Sequence, residues 1–294
     1  WWFPALTVKL LDVAEMPDFE ARSQKGRLRP FSTIRHPTKF RFMKLLIRPA
    51  PEVAIKSKPV RRQQMRHLRQ NIRKLLARLD PEIRVEGSWD RVDVEVPDGR
   101  GLSGPALELL LRIPGISTIQ EIGAFPFVSL EDVAEKAVEA FADRLAGKTF
   151  AVRARRHGEH SFRSIDLERT VGAALMQASG ASGVDLKSPQ VEVRIEVQDD
   201  QFHIAHRKHR GLGGYPLGSV ENVLTLISGG YDSSVAAYLM MRRGLRNHFL
   251  FFNLGGTAHE VGVRQVVHYL WDRYGASHSA KFISVPFEGV VAEI

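Results

Sequence analysis

The stretch "VLTLISGGYDSSVAAYLMMR" (residues 223–242) decides how the last quarter of this chain is built. Residues 223–227 form an apolar run of the length and composition of a buried strand. A glycine pair with three flanking serines and one aspartate follows. Then comes a helical pattern starting at Asp232 or Ser233. A strand that hands over to a helix through glycine delivers the chain to the carboxyl edge of a sheet, where ligands of open α/β folds bind. Gly229 and Gly230 allow a tight turn and close approach of backbone to an anion. The helix start offers unpaired amides and the positive end of its dipole. Ser228, Ser233 and Ser234 add hydroxyl donors. The loop contains no lysine, so the gamma-phosphoryl machinery of a P-loop is not expected.

Downstream of this loop the order continues helix, strand, helix, strand, as in a parallel α/β sheet. Upstream lies "GLGGYPLGS" (211–219), a turn-rich linker. Before it, a strand at 43–49 leads to a helix over 59–79, whose Met65, Leu68, Ile72, Leu75 and Leu79 recur at spacings of three and four. Two short strands (83–89 and 92–97), a helix over 105–111 and a strand over 116–125 complete a β-α-β-β-α-β order of ferredoxin-like type. A helix from Ser129, capped by its hydroxyl, runs to about 145 and stops at Gly147. A strand at 148–156, a helix at 164–177 and two strands joined at Asp199-Asp200 close the middle region. Residues 1–42 show no sustained period and open with Trp1-Trp2, so they are expected to be a disordered extension ahead of a natural start at Met43.

The chain has 294 residues, a net charge of +9, a sequence pI near 9.9 and no cysteine. That length implies more than one domain. The absence of cysteine removes disulfides, zinc-thiolate sites and thiol nucleophiles from these residues and suits a reducing cytoplasm. No apolar run approaches the length of a membrane span. The basic residues cluster: Arg61, Arg62, Arg66, Arg69, Arg73, Lys74 and Arg78 come without an acid between them, and Arg153, Arg155, Arg156 and Arg163 form a second group. Clustering of this kind points to a polyanionic partner, foremost nucleic acid, against a generally solvated basic surface.

Three features look like sites and are not read as such. Gly147-Lys148-Thr149 lacks the first P-loop glycine, because position 142 is Ala142, and it lies between a helix and a strand in the wrong order. The glycines of 211–214 follow no strand. His203, His206 and His209 invite a metal, but strand alternation sends His206 to the opposite face from the other two. No metal-ligating set is assigned.

The Ser-Gly-Gly-x-Asp-Ser loop resembles the pyrophosphate-binding loop of the ATP pyrophosphatase (PP-loop) superfamily. From Met43 onward, "RIPGIS", "SIDLERTVG", "GLGGYPLG", "LISGGYDSSVAAYLMMRRG" and "FFNLGGTAHEVGVRQVVHYLW" resemble the tRNA 4-thiouridine synthetase (tRNA uracil 4-sulfurtransferase) family. The resemblance implies an α+β then α/β chain: an extension at 1–42, a ferredoxin-like domain at 43–103, a THUMP RNA-binding domain at 104–208, a linker at 209–219 and a partial PP-loop domain at 220–294.

By the same resemblance, Ser228, Gly229, Gly230, Asp232 and Ser233 hold ATP phosphates and magnesium. Leu226 and Ile227 line the strand end, and Phe251 and Phe252 lie beside the adenine; core packing of the two phenylalanine side chains is the alternative. His259 and Glu260 are read as a cap or surface pair. Arg153, Arg155, Arg156 and Arg163 face RNA. The implied reaction adenylates a uridine C4 oxygen, after which a persulfide sulfur displaces AMP. The implied partners are tRNA, a sulfur-donating cysteine desulfurase and a second copy of the chain, with a further role in thiamine thiazole sulfur transfer. The catalytic cysteine is expected beyond Ile294, which would leave this chain incompetent for sulfur transfer. Another PP-loop adenylating RNA-modifying enzyme and a non-catalytic THUMP RNA-binding protein are the rival readings.

Overall fold

The computed structural model of the chain describes residues 8–16, 44–95 and 104–288. A short strand, β1 (Lys9–Asp12), stands first. The first unit then runs β2 (Lys44–Pro49), α1 (Pro51–Ala54), α2 (Lys58–Leu76), β3 (Arg84–Gly87), β4 (Val92–Glu95), α3 (Gly104–Leu111) and β5 (Ile116–Pro126). The second contains α4 (Leu130–Leu145), β6 (Thr149–His157), α5 (Ser164–Ser179), β7 (Gly183–Val184), β8 (Val191–Gln198) and β9 (Gln201–Arg210). The third is β10 (Asn222–Leu226), α6 (Tyr231–Arg242), β11 (Arg246–Asn253), α7 (Gly256–Leu270), a π-helical turn and β12 (Lys281–Pro286).

The first two units share one eight-stranded sheet, ordered β3-β4-β2-β5-β9-β8-β6-β7. β5 is its hinge: it pairs antiparallel with β2 on one side and with β9 on the other. α3, which a boundary at residue 104 assigns to the second domain, buries Ala106, Leu107 and Leu110 in the same cluster as Leu45, Leu68 and Ile119. The first unit therefore extends through α3, because the apolar face of that helix has its matching surface there.

β10, β11 and β12 are parallel, and β1 adds an antiparallel edge to β12. This corrects the expectation of disorder for residues 1–42 at residues 8–16; residues 1–7 and 17–42 lie outside the described residues. Asp12 caps the turn after β1 through the Ala14 amide and pairs with Lys281 Nζ at 2.9 Å, while Val13 and Met16 are buried. A four-residue edge strand needs only a free backbone partner and two apolar anchors, too little to register as a period. Among the described residues no helix is long and apolar enough to cross a membrane.

α4 and α5 cover the second unit's face of the sheet over a core of its own, with Phe141, Phe150 and Phe202 buried. The first and third units instead share one buried cluster, from Leu45 and Ile72 to Phe249 and Phe282. α2 lies at their seam. Its buried stripe (Met65, Leu68, Ile72, Leu75) follows the predicted spacing, each such side chain contributing roughly 1.5–3 kcal/mol. Much of its basic face is spent inside the molecule. Arg69 and Arg73 donate to the carbonyls of Gly87 and Val85, both at 2.8 Å. Arg78 donates to the Ala276 carbonyl at 2.6 Å, and buried Asn71 donates to Leu217 O at 2.9 Å. Arg69, Arg73 and Arg78 are thus bound to the protein's own carbonyls and do not stand free on the basic face that the clustering suggested.

Candidate nucleotide site and basic surface

β10 ends with Leu226, 62% exposed at the sheet edge, and Ile227, buried in the core. Ser228 then leaves the sheet. Gly229 takes φ +84°, and a Cβ there would stand 2.9 Å from Val263 Cγ2 of α7, so conformation and space both demand glycine. Gly230 caps α6 in an extended conformation without a side-chain hydrogen bond. The amides of Tyr231, Asp232 and Ser233 belong to the open first turn of that helix.

The serines organise the loop. Ser228 N donates to Ser233 Oγ at 3.2 Å, and the two hydroxyls lie 3.1 Å apart. Ser234 Oγ donates to Gly230 O at 2.7 Å. Asp232 is exposed in the first turn, where a carboxylate is favoured by the helix dipole. Amides, hydroxyls and a dipole end make a receptor for phosphate oxygens. Among the described residues no group of three His, Cys, Asp or Glu side chains could hold a metal. Magnesium fits here only where phosphate oxygens complete its coordination beside Asp232.

His259, read from sequence as a cap or surface residue, reaches back to this loop. Its Nε2 donates to the Ser228 carbonyl at 3.3 Å, and its ring stands edge-on to Phe251 at 5.1 Å. A Cβ on Gly255 would lie 2.9 Å from the His259 ring, so the turn into α7 also needs glycine. The next residue, Glu260, is buried and gathers the ends of two strands: it accepts from Asn253 Nδ2 (3.3 Å) and Ser284 Oγ (3.1 Å) and pairs with Arg264. A histidine and glutamate at a helix start after a strand were the only sequence signal for either role.

Phe251 is buried and stacks on Phe282, whereas Phe252 is 41% exposed and meets Phe287. Ile227 and Phe251 therefore pack in the core, and only their backbone groups are available to a ligand. Alternation along β11 leaves Phe252 on the outer face.

The second basic group divides in the same way. Arg153 Nε pairs with Glu192 at 3.5 Å and flanks a cleft of about 510 Å³ between α5 and β6–β7, together with Arg169, Glu168 and Met176. Arg156 Nη1 donates to His160 O and its guanidinium lies over the Phe162 ring. Arg163 closes the start of α5 with two bonds to the Asp166 carboxylate, each 3.2 Å. Arg155 is exposed. The histidines depart from simple alternation: a register shift in the β5–β9 pairing brings both His206 and His209 onto buried Glu121, at 3.4 and 2.6 Å. The sequence expectation of opposite faces fails because a bulge adds one residue to the count.

Comparison with known proteins follows the same division. Residues 44–119 match the ThiI ferredoxin-like domain, 127–207 the THUMP domain, and 218–294 the family described as thiamine biosynthesis protein (ThiI). The chain is 82% identical over 252 residues to the tRNA sulfurtransferase of Marinobacter nauticus. It is 52% identical over 254 residues to that of Pseudomonas aeruginosa strain PAO1. Each match covers 86% of this chain and 52% of the relative, so the chain spans about half the length of these curated relatives. Among solved structures, a 4-thiouridine synthetase–RNA complex with bound ATP aligns with TM-score 0.68 at 21% identity, over 86% of this chain and 64% of that one. PH1313 from Pyrococcus horikoshii aligns with TM-score 0.62 at 22% identity, over 86% and 83%. These two establish the shared fold.

Proposed function

The chain belongs to the tRNA sulfurtransferase family, and from that premise we propose that it supplies the ATP-binding loop and the RNA-gripping domains of an enzyme that thiolates uridine in tRNA. The observation that carries this is the Ser228–Ser234 loop, whose glycine conformation, packing against Val263 and open helix end form a phosphate receptor without a lysine. Relatives are named tRNA sulfurtransferases, and one fold neighbour is a 4-thiouridine synthetase with RNA and ATP.

In this reading the amides and hydroxyls of Ser228, Gly229, Gly230 and Ser233 hold the ATP phosphates, and Asp232 takes a magnesium ion that the phosphates share. Magnesium supplies charge neutralisation on the phosphates. The backbone at Leu226, Ile227, Phe251 and Phe252 borders the adenine. The uridine C4 oxygen attacks the alpha-phosphorus, the bond to the beta-phosphate oxygen breaks, and pyrophosphate leaves. The donors of the loop stabilise the charge of that step in place, which asks for no side-chain base. A persulfide sulfur then bonds to C4 as the C4–O bond breaks and AMP departs, and a second thiol attacks the resulting disulfide, breaking its S–S bond and leaving one sulfur on C4. This chain has no cysteine, so the persulfide and that thiol both lie outside these residues.

Arg155 meets RNA phosphate directly in this account, while Arg153, Arg156 and Arg163 exchange weak surface contacts for it. A cysteine desulfurase as sulfur source, a second copy of the chain and a cytoplasmic setting belong to the same reading. The family description favours sulfur delivery for thiamine as a companion role. Equilibrium binding of ATP tests the loop. Hydrogen bonds to charged phosphate contribute about 1.5–3 kcal/mol each, so a Ser228→Ala/Asp232→Asn double variant should bind ATP at least about tenfold more weakly. Equal affinity in that variant would remove the loop from the mechanism.

A further inference from the structure

A second cluster of donors lies at the other end of the parallel strands. Arg246 opens β11, and His278 stands just before β12. Both converge on Gly218 of the linker: a Cβ built there would lie 2.6 Å from His278 Nε2 and 2.8 Å from Arg246 Nε, at φ +79°. Any side chain at 218 would fill the notch between them. α2 contributes from the facing side. Lys74 Nζ donates to the Ser277 carbonyl at 3.4 Å, beside His278, and His67 lies two turns earlier on the same face.

One buried polar atom here, Arg246 Nε, has no protein partner among the described residues. A buried guanidinium nitrogen without a protein acceptor is costly unless a water or a ligand oxygen meets it. The surrounding charge has one sign. Burial, then the charges of Arg246 and Arg66, lowers the His67 pKa. Burial, then Arg246, Lys74 and His67, holds His278 at about 4. Arg246 and Lys74, beside two neutral imidazoles on which no carboxylate among the described residues acts, make a receptor for an anion.

We propose that Arg246, His278, His67 and Lys74 form a phosphodiester site that holds the backbone of bound RNA at the seam between α2 and the α/β layer. The proposal rests on the reading of the chain as an RNA-binding protein and adds a contact that reading does not contain. The site is distinct from the Ser228 loop: eight residues of β11 separate the two strand ends, about 23 Å at some 3.3 Å per residue. An RNA phosphate suits it better than a small metabolite. Arg246, Lys74, His67 and His278 are only partly buried or exposed, and exposed Arg62 and Arg66 continue the positive surface along α2. A phosphate held here also bridges two units, so it fixes the RNA relative to both.

The test is tRNA affinity of the chain against salt, by fluorescence anisotropy from about 50 to 200 mM KCl, the range over which phosphate contacts are resolved. Lys74→Gln and Arg246→Gln should each flatten the slope of log K against log salt by roughly 0.7–0.9, one phosphate contact. Lys74→Gln should leave ATP affinity unchanged. If Arg246→Gln does not fold, Lys74→Gln still decides. Unchanged slopes in a parent that binds tRNA overturn the notch alone. A parent that binds no tRNA overturns the notch and the RNA reading together. Inorganic phosphate that shifts the His67 and His278 ring resonances, without competition from tRNA, assigns the site to a free anion and overturns the RNA contact.

Discussion

His259 Nε2 lies 3.3 Å from the carbonyl oxygen of Ser228, tying the start of α7 to the loop that follows β10. The two strand-to-helix turns of the α/β layer are thereby coupled, with the edge of Phe251 supporting the imidazole from below. A loop held by a neighbouring helix is pre-organised, so in the proposed role less ordering is left for ATP to induce.

Replacing His259 with alanine removes one hydrogen bond worth about 1 kcal/mol. ATP affinity should fall roughly fivefold, and His259→Gln, which keeps a donor, should recover most of it. Titration calorimetry on the two variants checks the pair; equal losses would mean that the contact is incidental to loop position.

Gly229→Ala attacks the same loop through its backbone. The substitution forces a left-handed conformation, costing about 1–2 kcal/mol, and drives a Cβ to 2.9 Å from Val263. ATP binding should drop by more than about tenfold. Gly230→Ala, where φ is −79° and the nearest atom is Ser228 Oγ at 3.5 Å, should be much milder. Adding Val263→Ala to Gly229→Ala should recover part of the loss by relieving the contact while leaving the strain.

Glu121 sets an acid limit on the seam between β5 and β9. Burial alone would raise its pKa, but hydrogen bonds from His206 and His209 and their charge outweigh it and hold the carboxyl at about 2. The ordinary value is 4.5, so the unfolded chain takes up the proton first. Stability is complete above about pH 4.5 and drains away as pH falls toward 2, by about 3 kcal/mol over the window. Thermal melts across that range should show the loss in the parent. Glu121→Gln should be destabilised by a few kcal/mol at neutral pH and show a flatter acid profile.

Asn71 joins α2 to the linker by donating to Leu217 O at 2.9 Å in a fully buried setting. Asn71→Ala leaves that carbonyl unsatisfied and should cost about 1–3 kcal/mol in urea unfolding. Arg62→Ala, at an exposed position of the same helix, should stay within about 0.5 kcal/mol of the parent.

Local chemistry made most elements legible. The helix over 59–79 appears as α2 at 58–76, with Met65, Leu68, Ile72 and Leu75 of its predicted stripe buried, whereas Leu79 lies past its end and is exposed. Ser129 caps α4 through the Asp132 amide at 3.1 Å, and Gly147 ends that helix at φ +69°. These outcomes depend on residues within a few positions of each other, which a sequence displays directly. The same holds for the Ser228–Ser234 loop, where strand, glycines and helix start are contiguous.

What escaped depends on residues far apart in the chain. β1 forms because β12, some 270 residues later, offers a free edge. The bulge that turns His206 and His209 onto one carboxylate is set by the partner strand's register. Arginines that look alike in the run 61–78 part company because only some face carbonyls at the seam. The sequence by itself determined the elements, the glycine turn between β10 and α6 and the sign of the molecule's charge, since periodicity, glycine conformation and ionisation are local properties. Tertiary structure decided which charges are spent internally and which remain for a ligand, because pairing and desolvation are settled only when distant segments meet.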